Sequence, residues 1–478
     1  MNVLRLLFFI ALTFVGQAQN LTISSAAESG TITTSGSNPI TISASGTANL
    51  SVSTIETHLN NGISVIVSSS TGSVTVSSAL SKTAGGAASL TLQAANGTMQ
   101  ISSNISSSSN ALSLVLWTNL TSNSGAGLLI SNCTINTNGG HIYAGGGATT
   151  ETLNTLTVPQ GYTNSTTASN SHGIAISSSN INSNGGEIRM KGSISATDGA
   201  NSGLTIYGAS TISSGAGNLS FYGLRTGNPH AGAGLFIGTD INNPSSTVGT
   251  GNVAISSTSG NIYLEGNTAN ISNVHAWTHG FAIVEYYGDD VSINSTTGNI
   301  TIYGDGTSAA AYSGEATGFV IQSSTPTGLT NISTDGGNIS ITGKSSNDAS
   351  GDIGLALRAN NSIGNLTIGD ANTGNVTLRF GSLQTTAPSN PLAGRISIAG
   401  TGTCLLEGIS GAAFATAVDV GNAYTFGAGL TNLQIGSTTN NQTLTISTGL
   451  NINGPASLYG SVINQQANVS LLATNAKY

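Results

Sequence analysis

Gly298-Asn299-Ile300-Thr301-Ile302-Tyr303-Gly304 is a phrase that this sequence keeps repeating. Ile300 and Ile302 stand two apart, a polar residue separates them, and glycine closes both ends. Period-two alternation of this kind marks a short strand with one buried face. Close copies run from Gly186 to Gly192, Gly217 to Gly223, Gly260 to Gly266 and Gly337 to Gly343, with looser ones from Gly140 to Gly145 and Gly374 to Gly381. A second apolar phrase precedes each copy, opening at Gly127, Gly173, Gly203, Gly234, Gly280, Gly318 and Gly354.

The opening glycines lie between 203 − 173 = 30 and 173 − 127 = 46 residues apart. Units of this size with inserts of varying length define a solenoid, in which each unit buries its apolar face only by stacking on its neighbours. No helical pattern separates the strands, so the expected fold is all-β: a parallel β-helix forming one elongated rod. At about 20 to 30 residues per coil, the chain is expected to make about 15 to 23 coils and a rod on the order of 70 to 110 Å long.

Composition narrows the function. Glycine supplies 64 of 478 residues and charged residues only 6%. A disordered chain could share that composition, but it would not hold Ile, Val and Leu in alternation over hundreds of residues. The net charge of −8 comes with scattered bases, whereas a nucleic-acid partner requires a basic stripe. Cys133 and Cys404 lie many coils apart, too far for a disulfide, and are expected to be small buried residues.

Along the chain, residues 1–18 read as a secretory signal peptide: Arg5, an apolar stretch from Leu6 to Val15, then small residues up to Ala18. No later apolar run is long enough to span a membrane. Residues 19–124 read as Ser/Thr-rich N-terminal coils, 125–381 as the glycine-punctuated repeats and 382–478 as C-terminal coils. The sequence stops after one more strand, which raises the expectation of a truncated rod with a distal module beyond it.

The run from Glu56 to Trp117, together with Gly139-Gly140-His141-Ile142 and Gly336-Gly337-Asn338-Ile339, resembles the repeat region of filamentous haemagglutinin-like bacterial adhesins. The resemblance implies a right-handed β-helix that is secreted or held at the bacterial cell surface and acts as an adhesive rod. Members exported by the two-partner route carry Asn-Pro-Asn-type motifs near the mature N-terminus; this chain has Asn38-Pro39-Ile40 there.

Three other functions were weighed against adhesion. A β-helix polysaccharide lyase or hydrolase needs clustered carboxylates and bases. Asp289-Asp290, His279-Gly280 and Arg189-Met190-Lys191 resemble fragments of the polygalacturonase signature set, in reverse order along the chain. An ice-binding solenoid needs an unbroken Thr-x-Thr array, and Thr31-Ile32-Thr33 is followed only by Thr41-Ile42-Ser43 and Ser73-Val74-Thr75. Calcium-binding repeats need Asp in each turn, where this chain offers Asn. That asparagine is expected because it tolerates left-handed backbone angles and bonds its own backbone. A single calcium at Asp289 and Asp290 is left open. The histidines show no metal spacing, and His172 and His279 precede phrase glycines at what reads as a tolerant surface position.

The expectation is therefore a non-catalytic protein without cofactor or metal, whose partners are host or neighbouring-cell glycans or proteins, or further copies of itself. With Ile300 and Ile302 inward, alternation sends the intervening side chains outward. The outward column then holds Tyr143, Arg189, Lys191, Tyr222, Tyr263, Glu265, Tyr303 and Arg379, bordered by Trp277, Tyr286 and Tyr287. The competing reading is that these side chains only stack on one another across coils.

Overall fold

A computed structural model describes residues 20–70, 72–120, 127–165, 172–195, 201–227, 232–239, 251–269, 278–285, 288–307, 316–323, 328–345, 353–359, 365–384, 396–420, 424–447 and 449–471. The expected signal peptide and the border residues Trp277, Tyr286 and Tyr287 lie outside these residues.

The chain is a parallel β-helix. The repeated phrase forms the first ladder, in which thirteen successive parallel pairings run from Ile40 through Ile300 to Ala456. The preceding phrase forms a second ladder, from Val74 through Phe281 to Leu383. A third ladder, from Leu80 to Phe426, lies between them in chain order and was not anticipated. Its strands are short and polar, such as Asn180–Asn182 with Ile181 as the single apolar residue. Stacked, however, they bury an almost unbroken file of isoleucines, including Ile181, Ile212, Ile255, Ile293 and Ile332.

The first ladder's thirteen steps rise about 62 Å, shorter than the sequence led us to expect. Its coils average (456 − 40)/13 = 32 residues, because excursions at the corners add chain without adding rise.

Inside the coil the three ladders meet in one aliphatic core in which Ile293, Ile300 and Ile302 are all but inaccessible. Phe281 and Phe319 stack across adjacent coils, their centroids 5.0 Å apart. The framing glycines are steric necessities. A Cβ on Gly298 would lie 2.1 Å from the Gly260 carbonyl oxygen, and one on Gly304 would lie 2.1 Å from that of Gly318.

Asparagine serves the expected purpose at Asn138 and Asn184, which take positive φ and donate their N–H to the Asn136 and Asn182 side chains, but a different one at the head of the repeated phrase. None of Asn261, Asn299, Asn338 and Asn375 has positive φ. Instead, each side-chain carbonyl accepts the backbone N–H of the equivalent residue one coil on: Asn218 from Asn261 at 2.9 Å, Asn261 from Asn299 at 2.9 Å, Asn299 from Asn338 at 2.9 Å and Asn338 from Asn375 at 2.8 Å. The ladder thus continues into the turn, where the backbone alone would leave donors unmet.

The N-terminal coils contain the helix Val52–Asn60 in a region expected to be strand throughout; it buries Ile55 and Leu59. The strand Ser29–Ser35 pairs antiparallel with Ile40–Ser51 and covers its edge, a common way of blunting an open strand. Cys133 and Cys404 are free and buried, as expected. His172 and His279 are a correction: both are buried, as are Ser202, Ala233 and Thr317 at the equivalent positions. Ala233, His279 and Thr317 stand in register at the second residue of successive second-ladder strands.

Candidate binding surface

The outer face of the first ladder carries its predicted side chains in two rows, because outward positions recur every second residue. Tyr143 and Arg189 are neighbours in one row, and Ser220 and Tyr263 follow in the same register. In the other row Lys191, Tyr222, Glu265 and Tyr303 are successive partners, followed by Thr342, Arg379 and Glu407. The alternate residues point into the core.

A hairpin divides this face. Strand Ile142–Leu153 runs past its rung and turns back antiparallel as Leu156–Gly161. Val158 packs on Val115 and Tyr143, with Leu153 and Leu156 against the same cluster. Tyr143 is therefore 1% exposed, and its place in an open column is corrected. Its hydroxyl donates to Glu187 Oε2 at 2.9 Å and accepts from Asn154 Nδ2 at 2.6 Å. Arg189 Nη2 meets Glu151 Oε1 of the hairpin at 2.6 Å, and Lys191 Nζ donates to the Gln160 carbonyl at 2.9 Å. The first three column residues thus hold the hairpin down.

Beyond the hairpin, neighbours do touch across coils, as the competing reading required. Lys191 Nζ lies 5.6 Å from the Tyr222 ring centre, and the Tyr222 and Tyr263 centroids are 5.5 Å apart. Tyr263 and Tyr303 are each also tied to an acid two residues on, along their own strands. Tyr263 Oη donates to Glu265 Oε2 at 2.6 Å, and Tyr303 Oη donates to Asp305 Oδ2 at 3.0 Å. Burial, reinforced by those carboxylates, holds both phenols above their usual range, so they remain donors. Burial pushes the Asp305 carboxyl up, but Thr307 and Lys344 outweigh it and hold the group below its usual value.

At its far end the column opens into a groove of about 690 Å³ lined by Tyr303, Thr342, Lys344, Arg379, Glu407, Ile409, Ser410 and Gly411. Lys344 Nζ reaches Asp305 Oδ2 at 3.0 Å, and Arg379 Nε reaches Glu407 Oε1 at 2.8 Å. The 3-10 turn Ile409–Gly411, with Ser410 at φ 57°, forms one wall. Of these residues the sequence reading had only Tyr303 and Arg379. Lys344 falls just past a closing glycine, and Glu407 ends a further glycine-framed copy, Gly402 to Gly408, that the sequence reading passed over. Counting one position past the frame would have found Lys344, and extending the search for framed copies past Gly381 would have found Glu407.

The groups of the enzyme alternative do not converge. Asp289 and Asp290 precede a third-ladder strand, Val291–Ser295, whereas Arg189 and Lys191 stand on the first ladder three coils earlier. Asp290 Oδ1 accepts the Leu329 N–H at 3.0 Å, and Asp289 Oδ2 the Thr239 hydroxyl at 3.4 Å. Among the described residues no group of His, Cys, Asp or Glu is arranged to hold a metal ion, and no helix is long and apolar enough to cross a membrane. The three Thr-x-Thr-like segments sit on different strands, one of them the antiparallel Ser29–Ser35. No protein-family model matches the chain, and no curated protein is similar to it.

Proposed function

We propose that this chain is a secreted or cell-surface attachment rod that acts by presenting surface rather than by catalysis. One observation carries the reading: Tyr222, Glu265, Tyr303 and Arg379 line up in register, with Tyr263 in the adjacent row, on the rod face beyond the hairpin, and lead into a groove. Tyrosine offers a flat apolar face with a polar tip, suited to sugars and to protein surfaces. The leader-like start of the sequence and the resemblance of Glu56 to Trp117 to adhesin repeats agree with a role outside the cell.

The test is attachment to cell, matrix-protein and glycan surfaces by the Tyr263→Ser, Tyr303→Ser double variant. Glu265 keeps its bond from Asn267, and Asp305 keeps Lys344 and Thr307, so the fold should survive. Attachment should fall at least tenfold with an unchanged melting profile. Undiminished attachment would move the binding surface elsewhere, and release of sugar ends from polymeric uronates that vanished on Asp289→Ala, Asp290→Ala would replace the reading with an enzymatic one.

A further inference from the structure

We infer that the groove at the end of the column binds a linear acidic polysaccharide laid along the rod axis. The inference rests on the attachment reading and names the ligand class for one part of that face.

The groove's direction follows from the ladder. Tyr303, Thr342, Arg379 and Glu407 are successive first-ladder partners, so the lining spans four rungs and three steps, about 14 Å along the axis. One step is close to the length of one pyranose residue in an extended chain. Side chains at this spacing can meet successive sugars of a linear polymer, while a branched or globular ligand would match only one or two. The volume lies within the range of small-molecule sites.

The charge follows from how the two ion pairs are seated. In each, the base is exposed and the acid lies beneath it: Lys344 is 43% exposed over Asp305 at 15%, and Arg379 36% over Glu407 at 12%. A ligand therefore meets ammonium and guanidinium before carboxylate. Arg379 uses only Nε on Glu407, leaving both terminal amino groups to take a bidentate anion. Tyr303 begins the lining with a ring held by Asp305, and Thr342 stands in register between Tyr303 and Arg379, two residues before Lys344 on its own strand. On a chain of net charge −8, this strip puts two cations outermost, each backed by a less exposed acid, with an aromatic end. A neutral glycan would leave the exposed cations without a ligand partner.

Isothermal titration calorimetry should compare an oligogalacturonate hexamer, a chondroitin sulfate hexamer and the neutral cellohexaose. Binding by either acidic hexamer, weakening with salt and reduced at least tenfold in Lys344→Gln, Arg379→Gln, is the expected result, and the acidic arm that binds identifies the anionic group. Thr342→Trp fills the groove while leaving both ion pairs intact and should abolish the same signal. Equal binding of cellohexaose, or acidic binding unaffected by both variants, would overturn the inference. Surface attachment that survives Lys344→Gln, Arg379→Gln in a protein that binds no acidic hexamer would also overturn it, and would leave the attachment reading standing.

Discussion

Arg225 is fully buried where the first ladder hands over to the second; Nη1 donates to the Asn201 carbonyl at 2.7 Å, while Nε and Nη2 make no hydrogen bond. Burial pushes its pKa down to about 9, which still leaves it charged at neutral pH. A buried charge with at least three of its five donors unmet costs free energy that an apolar side chain of similar length would not. Arg225→Met is therefore expected to stabilise the rod by about 1–3 kcal/mol in chemical denaturation; a loss of stability would mean that the guanidinium is held by more than one carbonyl. Gly304→Ala should have the opposite sign. Its Cβ has no room against the Gly318 carbonyl, so a cost of about 3–5 kcal/mol is expected from the same measurement. The glycines were legible in the sequence because each frames a strand. The role of asparagine at the head of the repeated phrase was not, since its partner lies 37 to 43 residues away on the next coil.

At the scale of the element, the strand Thr278–Glu285 is buried along both faces and ends on an acid. Burial pushes the Glu285 carboxyl up to about 7, and Asp290 and Asp289 push in the same direction, although the Thr330 hydroxyl bonds the charged form. The folded state thus holds the proton more tightly than the unfolded chain. The stability this contributes is full below about pH 4.5 and is lost as pH rises through 7, by roughly 3 kcal/mol. His172, buried and lowered to about 4, works the other way and costs stability as pH falls from 6.5. Comparing wild type with Glu285→Gln separates the two: the variant should gain on wild type as pH climbs from 5 to 8, and parallel curves would refute the assignment. Of the three strands in a coil, two were legible, one by its alternating apolar residues and the other as a short apolar run behind a glycine. The third carries so few per rung, as in Asn180-Ile181-Asn182, that only stacking reveals it. The helix Val52–Asn60 was hidden by the Ser/Thr-rich composition around it, and the hairpin by its continuation from a strand that reads like the others.

On the scale of the whole molecule, the rod, its parallel order and the outward parity of the column followed from periodicity alone. Which part of that face is open did not, because it depends on where Ile142–Leu153 folds back over its own ladder. The central claim is that outward residues of the repeated phrase stand in one line along the rod, one coil apart. The most direct test is pulsed electron–electron distance measurement between spin labels on the Cys133→Ser, Cys404→Ser background. One label replaces Thr41 and the other, in turn, replaces Thr301, Thr377 or Gln434, which share its register at eight, ten and twelve steps. The account predicts distances of about 38, 48 and 58 Å, a straight line of about 4.8 Å per coil. Distances that level off or fall as the steps increase would contradict it.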